Sequence, residues 1–232
     1  MPSAVRRTSA VLVVATLTTV GTLLLAACAG PGPDTAGPRP VATPTAGVLG
    51  TGFVDDQQPP APESTISPAP HSWDAVHPPR GYDVVLLSDA GDDTAATRTL
   101  TAAVRSWATV ERVHVTPVAA ATPDDRLDAV DRAVRARPDL VVSVGDPMVD
   151  PIAAVSPSAL AQQFLVLGAE IAEPTANVTA ADWTGAGFRG EGLGASSHHD
   201  PDSFTDERAG RALRAGIAAV LHDLRGLVVW VD

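Results

Sequence analysis

From residue 82 onward, short apolar runs alternate with segments whose apolar residues recur every three or four positions. Residues 82–88 and 139–144 are continuous apolar runs of the kind that forms buried strands. Weaker strand patterns follow the same spacing between the helical segments and cover residues 113–118, 163–167, 177–180 and 227–231. The pattern therefore predicts six strands separated by helices or loops.

Sequence patterns typical of helices lie between most of the predicted strands. Leu100, Ala103, Val104 and Trp107 share one helical face, and Asp92 or Asp93 is the predicted cap of that helix. The run from Thr122 to Asp125 predicts the start of a second helix. Leu127, Val130 and Val134 form the predicted inner face of this helix, and Pro138 ends it. A short helix is predicted over residues 149–160, and a long one from a Ser203 cap to about residue 224, ended by Gly226.

The alternation of strand and helix predicts an α/β fold in three layers, a parallel sheet with helices on both faces. Ligands of such sheets bind at the carboxyl ends of the strands. In this chain those ends carry polar residues, namely Ser88-Asp89, Gly145-Asp146, Gly168-Ala169-Glu170 and Asp182. We therefore expect any binding site to lie among them.

The amino end has a different pattern, with Arg6 and Arg7 followed by an apolar stretch over residues 10–24 and then small residues. This three-part order is typical of a secretory signal, and the apolar stretch is short for a membrane span. The run Leu25-Ala26-Ala27-Cys28 resembles the lipobox of bacterial lipoproteins. The resemblance implies cleavage after residue 27, lipid on Cys28 and a protein anchored to the extracytoplasmic face of the cell membrane.

The alternative interpretation is an ordinary cleaved signal beside an incidental cysteine. Cys28 is the only cysteine of the 232 residues, so it cannot form an internal disulfide. This count favours the lipid-bearing interpretation.

Residues 28–79 predict a tether. The stretch 29–79 is rich in Pro, Gly, Thr and Ala and holds 12 of the chain's 21 prolines. Such a composition buries too little apolar surface to offset chain entropy, so we expect it to stay extended or disordered. Residues 47–54 are an apolar run within it that could pack locally. Residues 80–232 are left as the folded domain, the size of one modest domain.

The net charge argues against two classes of partner. The formal net charge is −11, which argues against a nucleic acid and against an anionic lipid surface. The protein's contact with the membrane would instead run through the lipid on Cys28.

Three further motifs resemble a metal site, paired catalytic carboxylates or a phosphate-binding loop. His198-His199-Asp200 suggests a metal site, but metal ligands need converging geometry that adjacent histidines in a loop seldom reach. Asp92-Asp93 and Asp124-Asp125 suggest paired catalytic carboxylates, yet both stand at predicted helix starts, where capping explains them. The glycine-rich run 185–190 neither follows a strong strand nor opens a helix. We therefore expect no enzyme activity, no cofactor and no metal.

Four phrases of the domain, in order and spacing, carry a family resemblance. PDLVVSVGDPMVDPI, QFLVLGAE, ANVTAADW and AGRALRAGIAAVL resemble the basic membrane protein family of solute-binding lipoproteins, which includes purine nucleoside receptors. The resemblance covers residues 82–232. It implies a lobe like that of a type I periplasmic binding protein, with the last helix and strand beginning a second lobe after which the chain ends.

The resemblance also implies a function. It points to a small, nucleoside-like solute and to an ABC permease as partner. In the family's first turn, an aspartate precedes an aromatic that stacks on the base; Asp93 matches the aspartate, and residues 94–97 hold no aromatic. The strand ends supply the candidate ligand-binding residues Asp89, Asp93, Asp146 and Asp150. The alternative is a non-catalytic surface interaction lipoprotein that has lost ligand binding.

Overall fold

The computed structural model describes residues 46–55 and 57–232. The predicted signal, Cys28 and the first part of the predicted tether lie outside the described residues. Among the residues described, no helix is long and apolar enough to cross a membrane.

A parallel sheet forms the centre of the domain, as the sequence pattern predicts, but it has seven strands and not the predicted six. The strands are β1 (Thr65–Ile66), β2 (Asp83–Asp89), β3 (His114–Ala120), β4 (Leu140–Val144), β5 (Phe164–Leu167), β6 (Val178–Asp182) and β7 (Val228–Trp230). They lie side by side in the order β3-β2-β4-β5-β6-β7-β1. From β2 the chain first builds outward to β3 and then crosses back to β4 on the other side. The strand order therefore reverses between β2 and β4, which is where doubly wound sheets form their binding crevice.

Helices cover both faces of the sheet because its strands are apolar on both sides. The four helices are α1 (Ala95–Glu111), α2 (Arg126–Arg135), α3 (Val149–Val155) and α4 (Asp206–Leu221). Val84 and Leu86 of β2 pack in the cluster of α1 and α4, whereas Val85 and Leu87 pack in the cluster of α2 and α3. The predicted three-layer α/β architecture is thus confirmed.

Two predicted helix caps are wrong by two residues or less. Thr94, not Asp92 or Asp93, is the cap of α1, and its side chain accepts a hydrogen bond from the Thr97 amide. Thr205, not Ser203, does the same for α4. The side chains of Asp92, Asp93 and Ser203 each have another hydrogen-bond or ion-pair partner. A threonine that follows them caps each helix instead.

The inner face of α2 also differs from the prediction. Leu127 is 52% exposed, and the buried positions are Ala129, Val130 and Ala133. A short 3-10 turn over Pro123–Asp125 precedes the helix, so the α-helical register begins at Arg126. Val130 lies on the predicted face, Val134 is partly buried beside it, and Leu127 lies at the outer edge of that face.

Residues 46–55 and 57–79, which the sequence analysis assigned to the tether, pack against the domain. Phe53 and Trp73 are 2% and 3% exposed and belong to the cluster of α1 and α4. Thr65 and Ile66 pair with β7 as an edge strand. The prediction of an extended segment is wrong for this part, because a few large apolar side chains anchor a proline-rich chain that composition alone would leave unfolded.

The last helix and strand do not begin a second lobe. Helix α4 packs beside α1 on one face of the sheet, and β7 pairs in parallel with β6. Gly216 permits this packing, because a Cβ at that position would lie 2.7 Å from Leu165 Cδ1 of β5. The small residues of α4, which the resemblance assigned to a second lobe, are the ones that let the helix approach this sheet.

Candidate functional site

Two of the four candidate aspartates line one cavity. Asp146 follows β4 in the short turn Asp146–Met148, and Asp150 lies in the first turn of α3. They are four positions apart, a spacing that brings two helical side chains to the same face. With Phe188 and Glu191 they line a cavity of about 510 Å³, which we call the acidic crevice. Its volume is in the range of small-molecule sites.

The other walls of the acidic crevice are mostly apolar. They comprise Pro123, Leu127, Pro147, Pro151 and Ala154, together with the side chain of Arg126. The Nε of Arg126 donates to Oδ2 of Asp89, so this guanidinium is already in an ion pair. The crevice thus combines apolar walls with three carboxylates, Asp146, Asp150 and Glu191, and with one arginine that is paired with Asp89.

Asp89 and Asp93 line a separate hollow of about 570 Å³ beside α1. Asp89 is 5% exposed; besides its ion pair with Arg126, it accepts a hydrogen bond from the Gly91 amide. Asp93 is exposed and pairs with Arg98 at 2.9 Å. The structure therefore does not bring these two residues into the cavity of Asp146 and Asp150.

Gly145 lets the acidic turn approach the first helix. Its φ is +89°, and a Cβ there would lie 2.5 Å from Oδ2 of Asp92. The same Asp92 oxygen accepts a hydrogen bond from Thr97 Oγ1 at 2.6 Å. Asp92 thus lies close against the turn after β4 and hydrogen-bonds through its side chain to Thr97 in the first turn of α1.

The pKa of Asp146 lies above its ordinary value. Burial is the main cause and the negative charge of Asp92 adds to it, while His199 acts in the opposite direction. Among the described residues, Asp146 and Asp150 have no arginine or histidine within ion-pair distance. The crevice therefore holds negative charge that the neighbouring described side chains do not pair.

A buried carboxylate stands at the end of β6. Asp182 is fully buried; its Oδ1 accepts a hydrogen bond from the Gly187 amide, and its Oδ2 has no partner. The pKa of Asp182 is raised to about 7, chiefly by burial; backbone hydrogen bonds from Trp183 and Gly187 oppose the rise, and the charges of Glu170 and Asp146 add to it. A carboxyl group here is on the boundary between its neutral and charged forms near neutral pH.

The segment 183–205, which we call the strand-end loop, runs over these carboxylates and is hydrogen-bonded to three of them. Ser196 Oγ donates to Glu170, the Glu191 amide donates to Asp150 and the Gly187 amide donates to Asp182. Arg189 also pairs with Glu170 at 3.1 Å. The loop supplies Phe188 and Glu191 to the crevice.

Sequence reasoning named Asp146 and Asp150 but missed Arg126, Phe188 and Glu191. Nothing in the local pattern marks these three, because their role depends on how the loop and α2 meet at the strand ends. The strand-end rule did point to Glu170 and Asp182 as residues of this edge. His198 and His199 are exposed, and within the described residues no three His, Cys, Asp or Glu side chains are grouped to hold a metal ion.

No family model and no curated protein matches the sequence. Solved structures with a similar fold include a solute-binding protein of an ABC transporter system from Aeropyrum pernix K1, 21% identical, with a TM-score of 0.41 over 45% of this chain and 29% of that one. A candidate lipoprotein fragment from Peptoclostridium difficile 630 is 15% identical, with a TM-score of 0.45 over 61% of this chain and 98% of that one.

A third structure is a periplasmic ribose ABC transporter protein from Conexibacter woesei DSM 14684. It is 17% identical, with a TM-score of 0.35 over 66% of this chain and 54% of that one. The match to the Aeropyrum protein thus spans less than a third of that protein's length. The basic membrane protein family is not confirmed, and the class of protein that the fold itself defines is a doubly wound α/β domain with its crevice at the strand ends.

Proposed function

We propose that this chain is an extracytoplasmic solute-binding lipoprotein, anchored by lipid on Cys28, that delivers a small solute to an ABC permease. The observation that carries the proposal is the acidic crevice itself. It lies at the carboxyl edge of a doubly wound sheet, beside the reversal of strand order where such folds bind ligands. A nucleoside is the solute class implied by the family resemblance.

The crevice suits binding rather than catalysis. Ionised carboxylates accept hydrogen bonds from hydroxyl or amine groups of a ligand, and each charge-assisted bond contributes about 1.5–3 kcal/mol when water is excluded. Apolar residues line much of the crevice beside Asp146, which is partly buried, whereas Asp150 is exposed to solvent. No nucleophile with an adjacent general base is among the residues that line the crevice.

The test is calorimetric titration of the full chain, purified in a mild detergent, with a panel of nucleosides, sugars, amino acids and amines. We expect at least one class to bind with a stoichiometry near one. Asp150→Asn should weaken that binding at least tenfold, while Asp131→Asn, an equal charge change on the exposed face of α2, should not. A panel without any binder contradicts the proposal.

A second candidate is a surface interaction lipoprotein without a ligand. One observation favours it: two of the four candidate aspartates are occupied by arginines, Asp89 by Arg126 and Asp93 by Arg98. Ion pairs at the strand ends are expected in a domain whose strand ends stabilise the fold and bind no ligand. The same titration separates the two candidates, because the second predicts no small-molecule binding.

A further inference from the structure

Residues 187–196 form a small hairpin within the strand-end loop. The Ser196 amide donates a hydrogen bond to the Gly187 carbonyl at 2.6 Å, and the Arg189 amide donates to the Gly194 carbonyl at 3.1 Å. Both bonds join one side of the hairpin to the other. Because these bonds are internal, the hairpin can keep its shape while it moves as a unit relative to the sheet.

The hairpin is attached to the strand ends mostly through carboxylates. Three hydrogen bonds and one ion pair join its residues Gly187, Arg189, Glu191 and Ser196 to Asp182, Glu170 and Asp150. The Glu170 amide also donates to the Phe188 carbonyl. Of the three carboxylates, Asp182 is fully buried, Glu170 is 5% exposed and Asp150 is exposed. A change in the charge of a buried carboxyl group therefore acts directly on the contacts that hold the hairpin in place.

Asp182 is the carboxyl group whose charge is hardest to accommodate. Its Oδ1 accepts the Gly187 amide, while its Oδ2 is buried without a hydrogen-bond partner. Its pKa is raised to about 7, chiefly by burial, and the charges of Glu170 and Asp146 add to the rise. Once ionised, Asp182 adds a third negative charge beside these two, and a buried charge without a partner is costly.

The other charged groups around Asp182 are mostly negative. By element, they are Asp146 after β4, Asp150 in α3, Glu170 after β5, Arg189 and His199 in the strand-end loop, and Asp232 after β7. Arg189 is paired with Glu170, and His199 acts on Asp146. Among the residues that the structure describes, no ion pair includes Asp182.

We propose that this hairpin is a pH-sensitive lid, closed over the strand ends while Asp182 is protonated and released when Asp182 loses its proton. The neutral carboxyl group still accepts the Gly187 hydrogen bond, so protonation is compatible with the closed form. Ionisation places an unpaired charge in the interior, and opening the hairpin lets water solvate that charge. The closed form binds the proton more tightly than the open form, so acid favours closure and neutral pH favours opening.

Opening the hairpin also changes the acidic crevice, because Phe188 and Glu191 belong to both. Acid favours a crevice that is walled on its loop side, and neutral pH favours one that is open to solvent there. This regulation goes beyond the solute-binding function proposed above. It does not depend on that function, since the proton alone drives the lid.

Amide hydrogen exchange of the full chain in detergent, resolved residue by residue, measures the opening. The Gly187 and Glu170 amides report it, because each is hydrogen-bonded between the hairpin and the domain. After correction for intrinsic exchange, we expect their protection to fall at least tenfold between pH 5 and pH 7 and to change little above pH 8. The amides of β4 should remain at least tenfold better protected at pH 8, which distinguishes local opening from global unfolding.

Variants identify the group that titrates. Asp182→Asn keeps an acceptor for the Gly187 amide and removes the titration, so its hairpin protection should stay within about twofold over the same pH range. Asp182→Ser removes the same charge and serves if the asparagine variant does not fold. Two controls should keep the fall in protection: Asp131→Asn, which removes an exposed charge of α2, and His199→Gln. The second is needed because a histidine can change charge over the same pH range.

Three outcomes would overturn the lid. One is hairpin protection that does not change with pH in the unaltered protein. Another is an equal fall in the Asp182 variants, or the loss of the fall in His199→Gln, since either result assigns the titration to a different group. The third is exchange of the β4 amides at the same rate as the hairpin amides, which means that the whole domain unfolds. None of these results bears on solute binding, which the calorimetric panel tests separately.

Discussion

The indole Nε1 of Trp183 donates a hydrogen bond to Ser203 Oγ over 3.1 Å and thereby joins the two ends of the strand-end loop. The ring of Trp183 also meets Phe204 edge to face, with centroids 5.2 Å apart. Trp183 directly follows β6, and Ser203 lies just before α4. The loop is therefore closed at its base by buried side chains, while its glycine-rich middle contacts the acidic crevice.

The first prediction follows from this closure. Ser203→Ala leaves the buried indole N–H without an acceptor, which costs about 1–3 kcal/mol of the free energy of unfolding. Urea denaturation followed by circular dichroism measures the loss. Ser158→Ala is the matched control, since Ser158 is exposed in a short turn and its change should be near zero. Equal stability of the two variants would contradict the role of the bond.

The second prediction concerns Gly145. An alanine there would have to adopt a φ of +89°, and its Cβ would approach Asp92 Oδ2 to 2.5 Å. Positive φ and the close approach together should lower the free energy of unfolding by about 1–3 kcal/mol. Thermal unfolding of Gly145→Ala compares directly with Gly210→Ala, because Gly210 lies within α4 and nothing stands within 4 Å of its Cβ position. The Gly210 change should stabilise the helix by about 0.5–1 kcal/mol.

The third prediction tests how much of the proline-rich segment belongs to the fold. Phe53 is 2% exposed within the main core cluster. Phe53→Ala should therefore lower the free energy of unfolding by about 3–5 kcal/mol, as deletions of buried aromatic rings do. Val48→Ala changes a residue of the same segment that is 71% exposed and should have little effect. If the segment were an extended tether, both variants would have the same free energy of unfolding as the unaltered protein.

These particulars show where sequence reasoning succeeds and fails. Strands β2 and β4 are apolar on both faces, which predicts a buried parallel sheet. The parallel sheet in turn predicts the α/β fold class and the sheet edge at which the site lies. Phe53 and Trp73 were missed because their burial depends on distant partners and a proline-rich neighbourhood hides them. Asp146 and Asp150 could be found because a local rule places them at a strand end.

Asp89 and Asp93 satisfy the same strand-end rule, yet they point to a different hollow. Their arginine partners decide this: Arg126 is 37 residues away from Asp89 along the chain. Phe188 and Glu191 reach the crevice only through the path of a glycine-rich loop. Contacts of this kind come from tertiary geometry, which periodicity cannot encode.

The fourth prediction is that Cys28 bears the lipid anchor. Cells that express the full chain and are labelled with radioactive palmitate should yield a labelled protein in the membrane fraction. Cys28→Ser removes the only thiol of the sequence and should abolish the label. A twin change at Ser3, Ser3→Ala, serves as a control that leaves the cysteine in place and should keep the label. Equal labelling of the Cys28→Ser protein would refute the anchor.

The fifth prediction concerns the pH dependence of stability that Asp182 produces. Its pKa in the folded protein is about 7, raised chiefly by burial, whereas an unfolded chain gives an aspartate its ordinary value of about 3.9. Between these two values the unfolded state has released the proton and the folded state still holds it. The unfolded state then binds fewer protons, so the free energy of unfolding falls as pH rises from about 4 to about 7 and levels off above that. A shift of about three units corresponds to a loss on the order of 4 kcal/mol.

Asp182→Asn removes this titration and keeps an oxygen that can accept the Gly187 amide hydrogen bond. We therefore expect the variant to gain stability relative to the unaltered protein steadily from pH 4 to pH 7, and to keep a constant advantage above pH 7. Urea titrations at half-unit steps of pH measure the difference curve, which cancels the contributions of Asp146 and the other carboxyl groups to first order. Asp131→Asn, an equal change at an exposed position, should give a nearly flat difference curve. A flat curve for Asp182→Asn as well would mean that the pKa of Asp182 is the same in the folded and unfolded states, and would contradict the prediction.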